Sequence, residues 1–94
     1  MIANVAVPIP LSDPLDYQIP EDLISAVVPG VRVLVPLGAR FVIGVVVSTA
    51  SKTEMGDLKT VIEQIDDNPV YSAQMLNFTR WIAKYYLCGW WDTL

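Results

Sequence analysis

With 94 residues, no histidine and a single cysteine, Cys88, the chain has room for one domain, cannot close an internal disulfide and lacks the commonest metal ligand. Its net charge of −4 excludes a protein that coats a duplex, because duplex affinity comes mainly from neutralising many phosphates. The longest apolar run, Phe41–Val47, is far short of the roughly 20 residues that a membrane-spanning helix needs.

The opening "MIANVAVPIP" has no basic region and no cleavage site, so no signal peptide is expected. Ile2–Val7 is rich in β-formers and is ended by Pro8 and Pro10, which predicts a first strand. Leu15–Ile19, bracketed by Pro14 and Pro20, predicts a second, with Asp16 wedged between Leu15 and Tyr17. "EDLISAV" has the length of a helical turn, closed by Pro29-Gly30. Val31, Val33 and Val35 alternate with Arg32 and Leu34, the pattern of a half-buried strand. "PLGAR" turns the chain into "FVIGVVVSTA", which is apolar on both faces and so reads as a central strand. Gly44 inside that strand implies a bulge or a close approach by another segment.

"SKTEMGD" is a polar loop. Leu58, Val61, Ile62 and Ile65 then recur at helical spacing, although Val61 and Ile65 also share a strand face; the local period favours helix. Asp66-Asp67-Asn68-Pro69 ends the segment either way. Ser72 is placed to cap a helix running to about Leu87, with Met75, Phe78, Ile82, Tyr85 and Tyr86 as its apolar stripe. Phe78, Ile82 and Tyr85 are expected to pack on the sheet. The class is α+β and mainly β. Residues 1–94 form one domain, a small twisted sheet or partial barrel of four to five short strands with one C-terminal helix.

Catalytic chemistry has no footing here. A nucleophilic Ser, Thr or Cys needs a base beside it, there is no histidine, and Cys88 sits in apolar company. "GARFVIG" has two glycines but no phosphate-loop lysine. Asp66-Asp67 has cation-binding chemistry, yet a solvated turn explains it more simply. No catalytic residue, metal or cofactor is expected. The charge is uneven. Residues 1–30 hold four acids and no base, whereas residues 31–60 carry net +2, from Arg32, Arg40, Lys52 and Lys59 against Glu54 and Asp57. A small phosphate site fits that middle third. The hydrophobic fraction of 53% and mean hydropathy of +0.44 owe much to the late "WIAKYYLCGWW". Trp90 and Trp91 are expected to dock onto a partner or onto the rest of a longer chain.

The order of segments carries more than any one of them. "VAVPIPL", "LDYQIP", "VPGVRVLVPLGARFVIGVVV", "LKTVIEQIDDNPV" and "FTRWIAKYYLC" follow one another along the whole chain. This succession resembles the N-terminal, 3′-end DNA-binding domain of the PriA family of replication-restart helicases (primosomal protein N′). The resemblance implies a cytoplasmic protein that binds the 3′ end of the nascent leading strand at stalled forks and positions a helicase for primosome assembly. The domain itself would be no enzyme. Its partners would be the DNA 3′ end, the remaining helicase domains of the same chain and other primosome proteins, with no membrane involved. The resemblance also implies that residues 59–66 form a strand, and that reading is adopted over the local period.

By the same resemblance, Leu15-Asp16-Tyr17, Gly38 and Lys59 line a pocket for the terminal nucleotide. A free 3′ end differs from an internal nucleotide by one hydroxyl donor, and an ionised carboxylate is a pure acceptor that bonds such a donor strongly. Glycine lets a backbone approach closely, and lysine supplies a point charge for one phosphate. Each residue also has a plainer explanation. Asp16 would suit a turn, Tyr17 the core, Gly38 a hairpin and Lys59 a solvated surface. The alternative for the whole chain is an SH3-like barrel for protein–protein contact, since "VPGVRVLVP" followed by "GVVV" is a common barrel pattern.

Overall fold

The computed structural model describes residues 1–9, 13–51, 58–85 and 94, with the backbone alone for residues 81–85. Its strands are β1 (Ile2–Ala6), β2 (Leu15–Gln18), β3 (Arg32–Leu37), β4 (Arg40–Ala50) and β5 (Glu63–Gln64); a 3₁₀ turn spans Glu21–Leu23 and one helix, α1, spans Ala73–Tyr85. They form a five-stranded sheet in the order β2-β1-β4-β3-β5, every neighbouring pair antiparallel. β4 is central, as its two apolar faces require. The fold is the mainly β sheet with one late helix expected from the pattern.

The sheet is not closed, yet its two edges are tied. The N–H of Gln18 on β2 donates to the Lys59 carbonyl (2.9 Å), and the Val61 N–H donates back to Gln18 (2.9 Å). Further along, the N–H groups of Ile62 and Ile65 donate to Leu34 (2.9 Å) and Arg32 (2.8 Å) on β3. Residues 59–65 therefore run extended between the free edges of β2 and β3. The helical spacing of Leu58, Val61, Ile62 and Ile65 does not yield a helix. Only Val61 is buried (1% exposed), while Ile62 is 51% and Ile65 40% exposed. A helix here would leave two sheet edges with unpaired backbone groups, and the edges decide the conformation.

Two apolar clusters lie on opposite faces of the sheet. The larger gathers Ala3, Val5, Tyr17, Val33, Val35 and Val46 from the strands with Val27, Val31 and Val61 from the connections. The smaller joins Ala6, Val45 and Val47 to Leu76 of α1, with Tyr71 and Leu94 beside them. Gly44 serves the close approach: a Cβ there would lie 2.5 Å from Val5 Cγ1 and 2.7 Å from the Ala6 carbonyl oxygen. The β1–β4 irregularity lies nearby but not at Gly44. Asn4 pairs with Ser48 and Val5 with Val46, so Val47 is the extra residue.

Ser72 caps α1, its Oγ accepting from the Met75 N–H at 3.1 Å. The expected packing face of the helix needs correction. Phe78 is 61% and Met75 48% exposed, whereas Leu76 and Thr79 are buried at 4% and 8%. The helix turns its Leu76–Thr79 row to the sheet, because the small side chains Ala6, Val45 and Val47 let that row sit close. The Thr79 hydroxyl is satisfied by the Leu76 carbonyl at 3.0 Å. The expectations for Ile82, Tyr85, Tyr86, Cys88, Trp90 and Trp91 fall outside the described side chains. Leu76→Ala should therefore cost about 2–3 kcal/mol of stability and Phe78→Ala no more than about 0.5 kcal/mol. Urea denaturation of the two variants checks this ranking; the reverse order would mean the helix is rotated.

Candidate nucleic-acid interface

A cleft of about 430 Å³ opens between three walls: Pro14 to Tyr17 along β2, Pro36 to Gly38 at the end of β3, and Leu58-Lys59 in front of the edge-tying segment. Leu15, Asp16, Tyr17, Gly38 and Lys59 all line it, although 44 positions separate the first from the last.

The register of β2 on β1 places Ala3 opposite Tyr17 and Asn4 opposite Asp16, so the two β2 side chains point to opposite faces. Tyr17 enters the core at 3% exposure, and its hydroxyl donates to the Pro36 carbonyl at 2.8 Å. Burial pushes its phenol above the usual range, which keeps it a donor. Tyr17 thus braces the β2 wall against the β3 wall and offers no open face for stacking.

Asp16 is exposed, and its Oδ1 accepts from Asn4 Nδ2 at 3.0 Å. Its carboxylate is held by a side chain on the neighbouring strand rather than by a turn. Oδ2 has no hydrogen-bond partner among the described residues. The backbone of Asp16 is also available. Gln18 directs its N–H and C=O away from β1 to Lys59 and Val61, and strand alternation directs those of Asp16 the same way, along the cleft.

Gly38 and Ala39 make the two-residue turn between Leu37 and Arg40. Gly38 has φ +61, a left-handed conformation that glycine adopts without strain. A Cβ built on it meets nothing within 4 Å, so the space beside it is open. The Lys59 carbonyl is pinned by Gln18, while its exposed ammonium has no ion-pair partner among the described residues. Asp66 is the opposite case. Arg32 Nε and Nη2 hold its two oxygens at 3.0 and 2.8 Å, and the Arg32 N–H adds a third bond at 3.0 Å. Those hydrogen bonds hold the Asp66 carboxyl below its ordinary range. Asp66 is a clip between the end of β5 and β3. Among the described residues no group of three or more potential ligands could hold a metal, and no helix is long and apolar enough to cross a membrane.

Sequence reasoning missed Asn4, the Pro36 carbonyl and Leu58. Pro36 and Leu58 line the cleft beside the residues singled out, whereas Asn4 reaches it only through its bond to Asp16, which the β1–β2 register sets.

An open, largely apolar cleft lined, among the described residues, by one acidic residue and one lysine, on a small β-rich domain, is the make-up of a binding module. The chain belongs to the PriA 3′DNA-binding domain (3′BD) family, whose model matches residues 4–94. Among similar proteins, Replication restart protein PriA of Haemophilus influenzae is 30% identical over 99% of this chain. Those of Rickettsia felis and Buchnera aphidicola are 33% and 32% identical over 92% and 94% of it. The chain spans only 12–13% of the length of these relatives.

Proposed function

We propose that the cleft holds the terminal nucleotide of a DNA 3′ end, and that Asp16 accepts a hydrogen bond from the free 3′-hydroxyl. The observation that carries this reading is the convergence, along one open cleft, of Asp16, whose Oδ2 has no hydrogen-bond partner among the described residues, Gly38 with empty space beside it, and Lys59, which has no ion-pair partner among the described residues. An ionised carboxylate accepts from a hydroxyl in a charge-assisted bond and repels a 3′-phosphate. It also accepts from amino groups on a base edge. Gly38 leaves room for the sugar, and Lys59 neutralises the phosphate behind the terminal nucleotide. A single end presents few phosphates, so an acidic domain can bind it. Within a longer chain, this module would place a restart helicase at the 3′ end of the nascent leading strand of a stalled fork. The remaining helicase domains and other primosome proteins would complete the assembly in the cytoplasm. Membership of a 3′DNA-binding family favours this reading over a protein-binding SH3-like barrel.

Fluorescence anisotropy with matched single-stranded oligonucleotides tests it. Binding to a 3′-hydroxyl end should exceed binding to a 3′-phosphate end by roughly ten- to a hundredfold, the value of one hydrogen bond to a charged group. Equal affinity for the two ends would reject the pocket.

A further inference from the structure

We infer that the cleft carries a second phosphate position, served by Arg40, for the phosphodiester one nucleotide further from the strand end than the one Lys59 meets; this rests on the nucleotide reading of the cleft. The placement follows from the β3–β4 register. Val35 pairs with Val42, Pro36 with Phe41 and Leu37 with Arg40. Val35 is fully buried on the core face, and strand alternation returns Leu37 to that face. Directly paired residues project together, with Cβ atoms about 5 Å apart. Arg40 therefore rises beside Leu37, which lines the cleft, at the mouth formed by the Gly38 turn. A guanidinium on its long stem spans more than that separation.

Charge supports the same assignment. Arg32 is committed to Asp66 by two side-chain bonds. Arg40 is exposed, and like Lys59 it has no ion-pair partner among the described residues. One cation with no ion-pair partner among the described residues thus stands on the Leu58-Lys59 wall and another on the hairpin wall. A strand whose last nucleotide sits between the walls meets Lys59 with its first phosphate and leaves past Arg40 with its next. The planar fork of arginine suits a phosphate, which it bonds in two places, better than it suits a neutral sugar.

The test is the salt dependence of binding to 3′-hydroxyl di- and trinucleotides, measured on the whole chain and on Arg40→Ala and Arg40→Lys. For the trinucleotide, log K should fall with log salt at a slope of about −1.4 in the wild type and about −0.7 in Arg40→Ala, one released counterion fewer. Arg40→Lys should keep the steeper slope. The dinucleotide, with one phosphate, should bind the wild type and Arg40→Ala equally. An unchanged trinucleotide slope in Arg40→Ala, with preference for the 3′-hydroxyl intact, would overturn the second phosphate position and leave the terminal-nucleotide pocket standing. A lowered affinity at an unchanged slope would also overturn it, because Arg40 would then contact something other than phosphate. Loss of the 3′-hydroxyl preference in the wild type would remove both.

Discussion

Asp16→Ala should weaken binding to a 3′-hydroxyl oligonucleotide by about 1.5–3 kcal/mol while barely changing the stability of the fold. The side chain is exposed and contributes nothing to either apolar cluster, so its removal opens no cavity. Its one described bond, to Asn4, is an exposed contact between neighbouring strands, and such contacts contribute little to stability. What disappears is the acceptor proposed for the 3′-hydroxyl. Affinity for a 3′-phosphate oligonucleotide should fall less, or rise, because the mutation also removes a repulsive charge. The selectivity between the two ends should collapse toward unity. Anisotropy titrations with both oligonucleotides, alongside a urea melt, separate these effects. Retained selectivity in a folded Asp16→Ala chain would mean that another group reads the hydroxyl, with the backbone of Asp16 the first candidate.

Gly30→Ala carries the largest expected loss of stability. Gly30 has φ +96, a conformation that L side chains rarely adopt. A Cβ there would run into the carbonyl oxygen of Tyr71 and would also lie 3.0 Å from Pro69 Cβ. Neither neighbour is the end of a flexible side chain. Gly30 is moreover the point where the segment before α1 is fastened to the sheet. Its N–H donates to Val46 (2.8 Å), and its carbonyl accepts from the N–H groups of Val70 (2.9 Å) and Tyr71 (3.2 Å). An added methyl must push that segment away and break these bonds. The combined backbone strain and lost bonding should cost about 3–5 kcal/mol, a large share of the total for a small domain. Denaturant midpoints for Gly30→Ala and the wild type measure it. A loss below about 1 kcal/mol would show that residues 69–71 can shift freely, and that the turn is not a fastening point.

Much of this architecture was legible before any tertiary structure. The alternation of Val31, Val33 and Val35, the prolines around β2, the turn at Pro29-Gly30 and the cap at Ser72 are local signals, and each element stands where its signal lies. The apolar faces of "FVIGVVVSTA" likewise placed β4 at the centre of the sheet. Leu15, Asp16, Tyr17, Gly38 and Lys59 were named only through the family resemblance that the order of segments carries, and all five line one cleft. Other features belonged to the tertiary structure alone. Residues 59–65 have a helical period, yet they are extended because β2 and β3 present open edges that only the assembled sheet creates. The wide stripe of α1 permitted several rotations, and the small residues of β1 and β4 selected the one that buries Leu76 and Thr79 and exposes Phe78. Asn4 meets Asp16, Tyr17 reaches Pro36 and Asp66 finds Arg32 across separations of 12, 19 and 34 residues. Periodicity tells which face of an element is apolar; which partner meets that face is set by strand register and by the need of every buried backbone group for a hydrogen bond.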